Sequence, residues 1–279
     1  MGGNFLWVFR LKDCGGIDKV VSVAQETGYG ICAKFHDGDP ADDAKYGFQE
    51  DFHKLAERCG PLGIPLVAWG YCYGDKYGSL DKEVEAAALS LKSGAKAYII
   101  DAETEWEVPA AAGWAERFMS GLQKAAPGAE IGMTTYWNLR WHTSFPARIL
   151  LKAGYEVAIP QVYYNLGQRK TLAERKKMHA ISNEDFTGAG YKSIYPAGEF
   201  SGDVTDTFDF LDIVGKQPHS FWLLDGYQDS ASAKALRLFT TACKLAQDSS
   251  SSEADQAELA ALRQTVAEVK KAVKTLTGL

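Results

Sequence analysis

Three acidic residues follow a short apolar run in the first half of the chain. Tyr98 to Ile100 has the pattern of a buried strand, and Asp101, Glu103 and Glu105 come directly after it. Because side chains alternate between the two faces of a strand, this spacing predicts that the three carboxylates point to one side. Crowding of like charges is unfavourable unless one carboxyl keeps its proton, a cation lies nearby or a metal binds. The spacing therefore predicts a site of proton transfer or metal binding, and a solvated acidic loop is the alternative.

Other residue patterns that often carry catalysis are missing from the sequence. The five histidines contain no His-x-His pair, no Cys-x-x-Cys spacing occurs, and there is no Gly-x-Ser-x-Gly nucleophile motif. A magnesium or calcium site would need oxygen ligands, which Asp101, Glu103 and Asp225 could supply. Beyond that alternative, the sequence gives no reason to expect a metal or a cofactor.

Apolar runs and amphipathic segments alternate strictly along residues 1–247. Strands that are almost wholly apolar, each followed by a helix, indicate a parallel sheet covered by helices. Eight such units fit a closed (β/α)₈ TIM barrel, whose usual size is about 250 residues. An open, doubly wound sheet is the alternative, although no Gly-x-Gly-x-x-Gly motif follows the first strand. The predicted strands are 5–11, 30–35, 65–73, 97–103, 130–136, 157–164, 192–198 and 220–225.

The carboxyl ends of the predicted strands are rich in aromatic and polar side chains. In a (β/α)₈ barrel these ends, with the loops that follow them, line the active site. Aromatic rings stack on the apolar faces of sugars and carboxyl groups transfer protons, so this composition is typical of a sugar site. The candidate substrate-binding residues are Trp69, Tyr71, Tyr136, Trp137, Gln161, Asn165, Glu199, Trp222 and Asp225.

Three segments resemble known glycoside hydrolases. The segment Ile-Asp-Ala-Glu that ends at Glu103 resembles the end of the fourth strand in the family 25 muramidases and the family 18 chitinases. The segment Pro-Gln-Val-Tyr-Tyr-Asn that ends at Asn165 is similar to the Gln-x-Tyr-Asn stretch of the chitinases. Together with a Phe-Trp pair on the eighth strand, these segments look most like glycoside-hydrolase-like barrels from bacteria and phages. Ile99 stands where the chitinases have the first acid of Asp-x-Asp-x-Glu, and Phe9 and Leu11 occupy the region where the muramidases have an aspartate.

This resemblance implies a glycoside hydrolase that acts on a cell-wall or N-acetylhexosamine polysaccharide such as peptidoglycan. Glu103 would be the general acid, with a pKa raised by burial and by nearby Asp101. Asp101 would stabilise the oxocarbenium-like transition state or orient a substrate acetamide, and Tyr163 would donate a hydrogen bond to the same group. The alternative is a non-catalytic carbohydrate-binding or structural barrel in a phage virion or a surface assembly.

Charge and composition exclude several classes of partner. The formal net charge is −6 and the sequence pI about 5.5, so no nucleic-acid partner is expected. No apolar stretch reaches the ~18 residues of a membrane span, so we expect no membrane insertion. Five scattered cysteines indicate buried thiols and not a disulfide framework. The start of the chain has no basic region or cleavage site, which predicts synthesis in the cytoplasm without a signal peptide, then release at lysis or association with a virion.

The composition changes after residue 247. Residues 248–254 form a serine-rich linker, and apolar residues then recur at spacings of three and four within 255–279. This apolar seam consists of Leu259, Leu262, Val266, Val269, Val273 and Leu276. So narrow a seam predicts a coiled coil through which copies of the chain self-associate, because a helix docked on the barrel would show a broader apolar stripe.

Overall fold

The chain folds into a parallel barrel surrounded by helices, as the alternation of its apolar runs predicts. The structure is a computed structural model that describes residues 2–38, 43–77, 79–164, 170–199 and 204–222, and also 236, 239–244, 257, 261, 264 and 268. The linker at 248–254 and all six residues of the apolar seam lie outside the described residues. Self-association through the tail therefore stays a prediction from the sequence.

Eight strand positions close the barrel. The strands are β1 (Phe5–Val8), β2 (Gly30–Asp37), β3 (Leu66–Tyr71), β4 (Ala97–Asp101), β5 (Glu130–Tyr136), β6 (Val157–Gln161), β7 (Ser193–Ile194), β8 (Ala197–Glu199) and β9 (Ser220–Trp222). All pairs are parallel, and the ring closes because β1 pairs with both β2 and β9 while β5 pairs with β6. β7 and β8 share the seventh position, separated by Tyr195 and by Pro196, which has no N–H to donate to the ladder.

Helices cover the outside of the barrel. They are α1 (Ile17–Thr27), α2 (Asp43–Tyr46), α3 (Phe48–Cys59), α4 (Leu80–Lys92), α5 (Ala111–Ala125), α6 (Ala147–Ala153), α7 (Leu172–Ala189) and α8 (Val204–Val214). α7 begins with a capping box in which Thr171 and Glu174 bond each other's backbone N–H, and it ends at Gly190, whose φ is 107°. Among the described helices, none is long and apolar enough to span a membrane.

The core has two layers, one inside the barrel and one between the strands and the helices. The inner layer is built by residues that alternate along each strand, such as Trp7, Trp69, Ile99 and Ile159. The intervening residues of the strands face the helices, and all five cysteines are buried as thiols. Because burial of one large apolar side chain contributes roughly 1.5–3 kcal/mol, this two-sided burial holds the strand ends in place.

Several strands end earlier than the sequence predicts. β1 ends at Val8 and not at Leu11, β4 ends at Asp101 and not at Glu103, and β6 ends at Gln161 and not at residue 164. Beyond Asp101 the backbone turns into a 3₁₀-helix at Thr104–Trp106. Apolar patterning alone does not separate the last strand residues from a buried loop, because both bury apolar side chains.

A β-bulge in β2 changes which side chains reach the barrel interior. The register with β3 shifts between Lys34 and His36, so Lys34 lies opposite Trp69 and Asp37 lies opposite Tyr71. Simple alternation would put Lys34 and His36 on one face, whereas the bulge returns Asp37 to the face of Lys34. The ring of His36 instead bonds the Tyr98 hydroxyl at 2.5 Å in the outer layer.

A buried carboxylate holds the loop that follows β3. The side chain of Glu83, on α4, accepts hydrogen bonds from the backbone N–H of Tyr73 (2.8 Å) and Gly74 (3.3 Å) and from Ser79 Oγ (2.9 Å). Burial raises the pKa of Glu83 to about 7, because the charged form is poorly solvated there. The loop at this side of the barrel mouth therefore depends on a group that titrates near neutral pH.

We expect the stability contributed by Glu83 to increase as the pH falls from 7 to 5. Between its ordinary pKa of 4.5 and its folded pKa of about 7, the folded protein binds a proton that the unfolded chain does not. Stability from this group is therefore lost as the pH rises through that window, by at most about 1.4 kcal/mol per pH unit. Urea unfolding of the parent and of Glu83→Gln at pH 5 and pH 7 measures the effect. A stability difference between the two proteins that does not change with pH would contradict it.

Candidate active site

A small cavity opens where the inward-facing side chains meet at the carboxyl end of the barrel. Its volume is about 170 Å³, below the roughly 300–1,000 Å³ of most ligand pockets, so it is sized for one end of a ligand. The cavity is lined by Trp7, Asp101, Glu103, Thr134, Gln161, Tyr163 and Trp222. Five strand positions thus contribute to one site, at the end of a barrel where active sites form.

The side-chain amide of Gln161 forms hydrogen bonds with both Asp101 and Glu103. Asp101 is the last residue of β4, and the next residue on the same face is Glu103. Gln161, the last residue of β6, donates its Nε2–H₂ group to Asp101 Oδ1 at 3.2 Å and to Glu103 Oε1 at 2.9 Å. The two carboxyl groups are therefore close together and share one donor.

The environment of this pair favours a retained proton. Burial raises the pKa of Asp101 well above its usual value, and the nearby charge of Glu103 raises it further. Burial also raises the pKa of Glu103, although the hydrogen bond from Gln161 opposes the rise. Two adjacent carboxyl groups rarely ionise together, so the pair can hold a proton and release it to a ligand.

A buried ammonium group also lies in the barrel interior, on β2, two strands from Asp101. Lys34 is only 4% exposed, and its Nζ donates to Asp37 Oδ2 at 2.7 Å. The same nitrogen lies 4.4 Å from the ring centroid of Phe9, 4.7 Å from that of Trp69 and 5.0 Å from that of Phe48. This cation opposes the rise of the Asp101 pKa, so it partly offsets the crowding of acids.

Tyr163 completes the polar part of the cavity. Its side chain is half-buried, and burial together with the charges of Asp101 and Glu103 raises the pKa of its hydroxyl well above the usual value. A hydroxyl that keeps its proton is a hydrogen-bond donor at every pH near neutrality. Tyr163 can therefore donate to a ligand oxygen beside the two carboxyl groups.

Three tryptophans form one aromatic cluster at this cavity. The ring of Trp69 lies edge-on to those of Trp7 and Trp222, with centroids 5.4 and 5.2 Å away, and Trp7 and Trp222 are 5.8 Å apart. Trp7 and Trp222 line the cavity, whereas Trp69 is buried behind them. The indole N–H of Trp7 is buried and has no acceptor in the described part of the chain. A ligand oxygen would satisfy this donor.

Glu105 is bound to the rim and does not join the pair of acids. The Tyr71 hydroxyl donates to Glu105 Oε2 at 2.9 Å, and Lys76 Nζ lies 3.6 Å from its other oxygen. Tyr136, at the end of β5, shares a hydrogen bond of 2.6 Å with Thr104 Oγ1. Tyr71 and Tyr136 therefore brace the loop after β4 from both sides.

The structure brings together some of the predicted site residues but not all. Asp101, Glu103, Tyr163, Gln161 and Trp222 line the cavity. Trp69 lies behind the cavity, while Tyr71 and Tyr136 form part of the rim, and Glu199 is half-buried at the end of β8 opposite Trp222. Trp137 comes directly after β5 and packs against the outer layer of the core, where its ring lies edge-on to that of Trp141 with centroids 5.4 Å apart. Asn165 and Asp225 lie outside the described residues.

Two residues of the cavity were not predicted from the sequence. Trp7 and Thr134 both line it, and Thr134 Oγ1 donates to the carbonyl of Ile159 at 2.7 Å. Each occupies an inward position on its strand. Counting every second residue along β1 and β5 would therefore have predicted both side chains to face the barrel interior. For the predicted metal alternative, no group of three or more potential ligands able to hold an ion occurs within the described ranges, which do not include Asp225.

Comparison with known proteins identifies the fold. No protein-family model matches this sequence, and no curated protein sequence matches it either. The family 18 chitinase ChiB of Flavobacterium johnsoniae superimposes with a TM-score of 0.62 at 10% identity, over 86% of this chain and 93% of that one. A chitinase of Chromobacterium violaceum gives 0.58 at 9% identity, over 86% and 99%. The chain has the barrel fold of these glycoside hydrolases.

The likeness extends to a larger enzyme. A β-glucuronidase of Bacteroides uniformis gives a TM-score of 0.53 at 12% identity, over 78% of this chain and 30% of that one. The resemblance to glycoside-hydrolase barrels that the sequence indicates is thus confirmed for the fold. Sequence identities this low establish the fold but not the reaction, because one barrel architecture supports many chemistries.

Proposed function

We propose that this protein is a glycoside hydrolase that cleaves an N-acetylhexosamine polysaccharide, with Glu103 as the general acid. The observation that carries the proposal is the meeting of Asp101 and Glu103 on the Gln161 amide, inside a cavity lined by tryptophan and tyrosine. Protonated carboxyl groups beside aromatic rings are the components of glycosidic bond cleavage. The barrel fold shared with two chitinases supports the same class of reaction.

In this proposal Glu103 gives its proton to the leaving oxygen of the glycosidic bond. Glu103 is half-exposed, so the carboxyl group can reach a ligand, while Asp101 is only 7% exposed and lies deeper. Burial keeps the pKa of Glu103 raised, which favours the protonated form before the reaction. The more exposed acid is therefore the donor.

Asp101 and Tyr163 would act on the sugar itself. The Asp101 carboxyl can accept a hydrogen bond from a substrate acetamide N–H, and the Tyr163 hydroxyl can donate to the acetamide oxygen. An ionised Asp101 would also stabilise positive charge that develops on the sugar ring in the transition state. Lys34, which favours the ionised form of Asp101, supports this role.

The direct test is a reducing-end release assay paired with glycan binding on one preparation of the full-length protein. Chitin oligosaccharides and purified peptidoglycan strands are the substrates. Release of new reducing ends from either polymer supports the proposal. Binding of glycans with no release by a folded protein would contradict it and would favour a non-catalytic sugar-binding barrel.

We expect Gln161→Met to move the alkaline limb of the pH profile of kcat/KM to higher pH. The Gln161 amide stabilises the ionised form of Glu103, so its loss raises the pKa of that carboxyl. Glu103 then stays protonated to higher pH. The alkaline limb of the profile therefore moves to higher pH, even if the maximal value of kcat/KM falls. The measurement is kcat/KM for reducing-end release between pH 5 and 9, and an unchanged limb would contradict the role of Glu103.

A further inference from the structure

The cavity at the barrel mouth contains a hydrogen-bond donor that has no partner within the described part of the protein. Trp7 is only 2% exposed, and its buried indole N–H has no acceptor there. Of the buried side-chain nitrogen and oxygen atoms without a partner among the described residues, this one alone belongs to a residue that lines the cavity. Such donors are rare in folded proteins, because burial removes the water that would bond them. The N–H of Trp7 therefore indicates a place for an acceptor on a ligand.

The packing of the Trp7 indole holds this donor in place. The ring lies edge-on to those of Trp69 and Trp222, with centroids 5.4 and 5.8 Å away. Trp69 differs from Trp7, because its own indole N–H already donates to the carbonyl of Val8 at 3.3 Å. Turning the Trp7 ring towards another acceptor would break both of its ring contacts. The donor is thus fixed before a ligand arrives, so little conformational freedom is lost when a ligand binds.

The other groups that line the cavity select the chemistry of the acceptor. Asp101 and Glu103 supply carboxyl groups, and none of the described lysines and arginines lines the cavity. A ligand carboxylate would therefore be repelled by two neighbouring acids. Thr134 gives its hydroxyl proton to the carbonyl of Ile159 at 2.7 Å, so its oxygen can act only as an acceptor towards a ligand. A sugar hydroxyl matches this set, because it is neutral and both accepts and donates, whereas a carbonyl oxygen only accepts.

We propose that Trp7 is a specificity-determining residue, whose indole N–H donates to one hydroxyl group of the sugar held in the cavity. This inference rests on the proposed function, in which Asp101 and Tyr163 contact the acetamide of the same sugar. The hydroxyl gives its own proton to a carboxylate or to Thr134. A ligand that fills the cavity without this hydroxyl excludes water and leaves the N–H without an acceptor, so it binds less tightly.

Nuclear magnetic resonance spectra of the indole N–H groups in the full-length protein test this contact. The probe is the methyl β-glycoside of N-acetylglucosamine, which is a single sugar, and Trp7→Phe identifies the Trp7 signal. We expect the proton signal of the Trp7 indole N–H to move to lower field on binding, because a hydrogen bond forms. Trp106 is the internal reference, since its N–H already donates to the carbonyl of Cys72 at 2.7 Å and its signal should move little.

Affinities of the parent and of Trp7→Phe for the glycoside and for three deoxy derivatives, each lacking one hydroxyl, identify the group that is bound. Trp7→Phe should bind the complete glycoside roughly 2- to 12-fold more weakly, the range for loss of one hydrogen bond. One deoxy derivative should bind both proteins equally, because it lacks the acceptor. The matched control is Trp114→Phe, at a half-buried tryptophan of α5 outside the cavity, which should bind as the parent does. If Trp7→Phe does not fold, 3-benzothienylalanine at this position keeps the shape of the indole and replaces the N–H by sulfur.

Failure of the inference and failure of the proposed function give different results. A Trp7 signal that stays in place in the saturated protein, or an equal loss of affinity in Trp7→Phe for all four glycosides, would overturn the hydroxyl contact. If the single sugar does not bind, chitotetraose added to Glu103→Gln gives the same measurement without cleavage. Release of reducing ends by a parent whose Trp7 signal does not move would leave the proposed function intact and refute the inference. No binding of any of these sugars and no release would refute both.

Discussion

Replacing Glu103 by Gln is expected to lower the rate of glycosidic cleavage by roughly 10²- to 10⁴-fold, the usual contribution of a general acid. The introduced amide would keep an oxygen for the Gln161 hydrogen bond of 2.9 Å, so the cavity should stay assembled. It has no carboxyl proton to give to the leaving oxygen. Initial rates of reducing-end release measure the loss, and binding of an uncleaved oligosaccharide checks that the cavity still takes a ligand.

Glu105→Gln is the matched control for that variant. Glu105 is two residues further along the same loop and is also half-buried, but it is bonded to Tyr71 and Lys76 on the rim. Its replacement should change the rate by less than about tenfold, because no proton transfer is assigned to it. Equal losses in the two variants, or a Glu103→Gln protein with the parent rate, would show that Glu103 is not the acid.

Asp37→Asn is expected to destabilise the protein by about 3 kcal/mol, the lower end for removal of one partner from a buried ion pair. Lys34 would lose its carboxylate partner in a site that is 4% exposed, with three aromatic rings around it. Asp37 is the one carboxylate within 4.0 Å of Lys34 Nζ in the described part of the chain. Urea unfolding at pH 7, with the slope compared between proteins, gives the change in free energy.

A double-mutant cycle separates the interaction energy of the Lys34–Asp37 pair from the general effect of each substitution on stability. Lys34→Met removes the buried charge, so the double variant with Asp37→Asn should lose less stability than the sum of the two single variants. Glu50→Gln serves as the control, because it breaks the exposed pair with Lys54 on α3 and should leave the urea midpoint nearly unchanged. Additive losses in the cycle would contradict a coupled pair.

The barrel and its acids were largely predictable from local patterns. Alternation of apolar strands with amphipathic helices determined the (β/α)₈ arrangement, because continuous apolar runs have to be covered on both faces. The i, i+2 spacing of Asp101 and Glu103 placed both carboxyls on the inner face of the end of β4, as observed. These features depend on residues a few positions apart, so the sequence by itself carries them.

The remaining features were decided only by the tertiary structure. The bulge in β2 sends His36 outward and returns Asp37 to Lys34, which no residue count along the strand indicates. The hydrogen bonds from Gln161 to the two acids join residues about 60 positions apart in the sequence. Such contacts follow from the closure of the barrel and the packing of helices on it. The sequence thus determined which groups reach the carboxyl end of the barrel, and the closed ring of strands decided which of them touch.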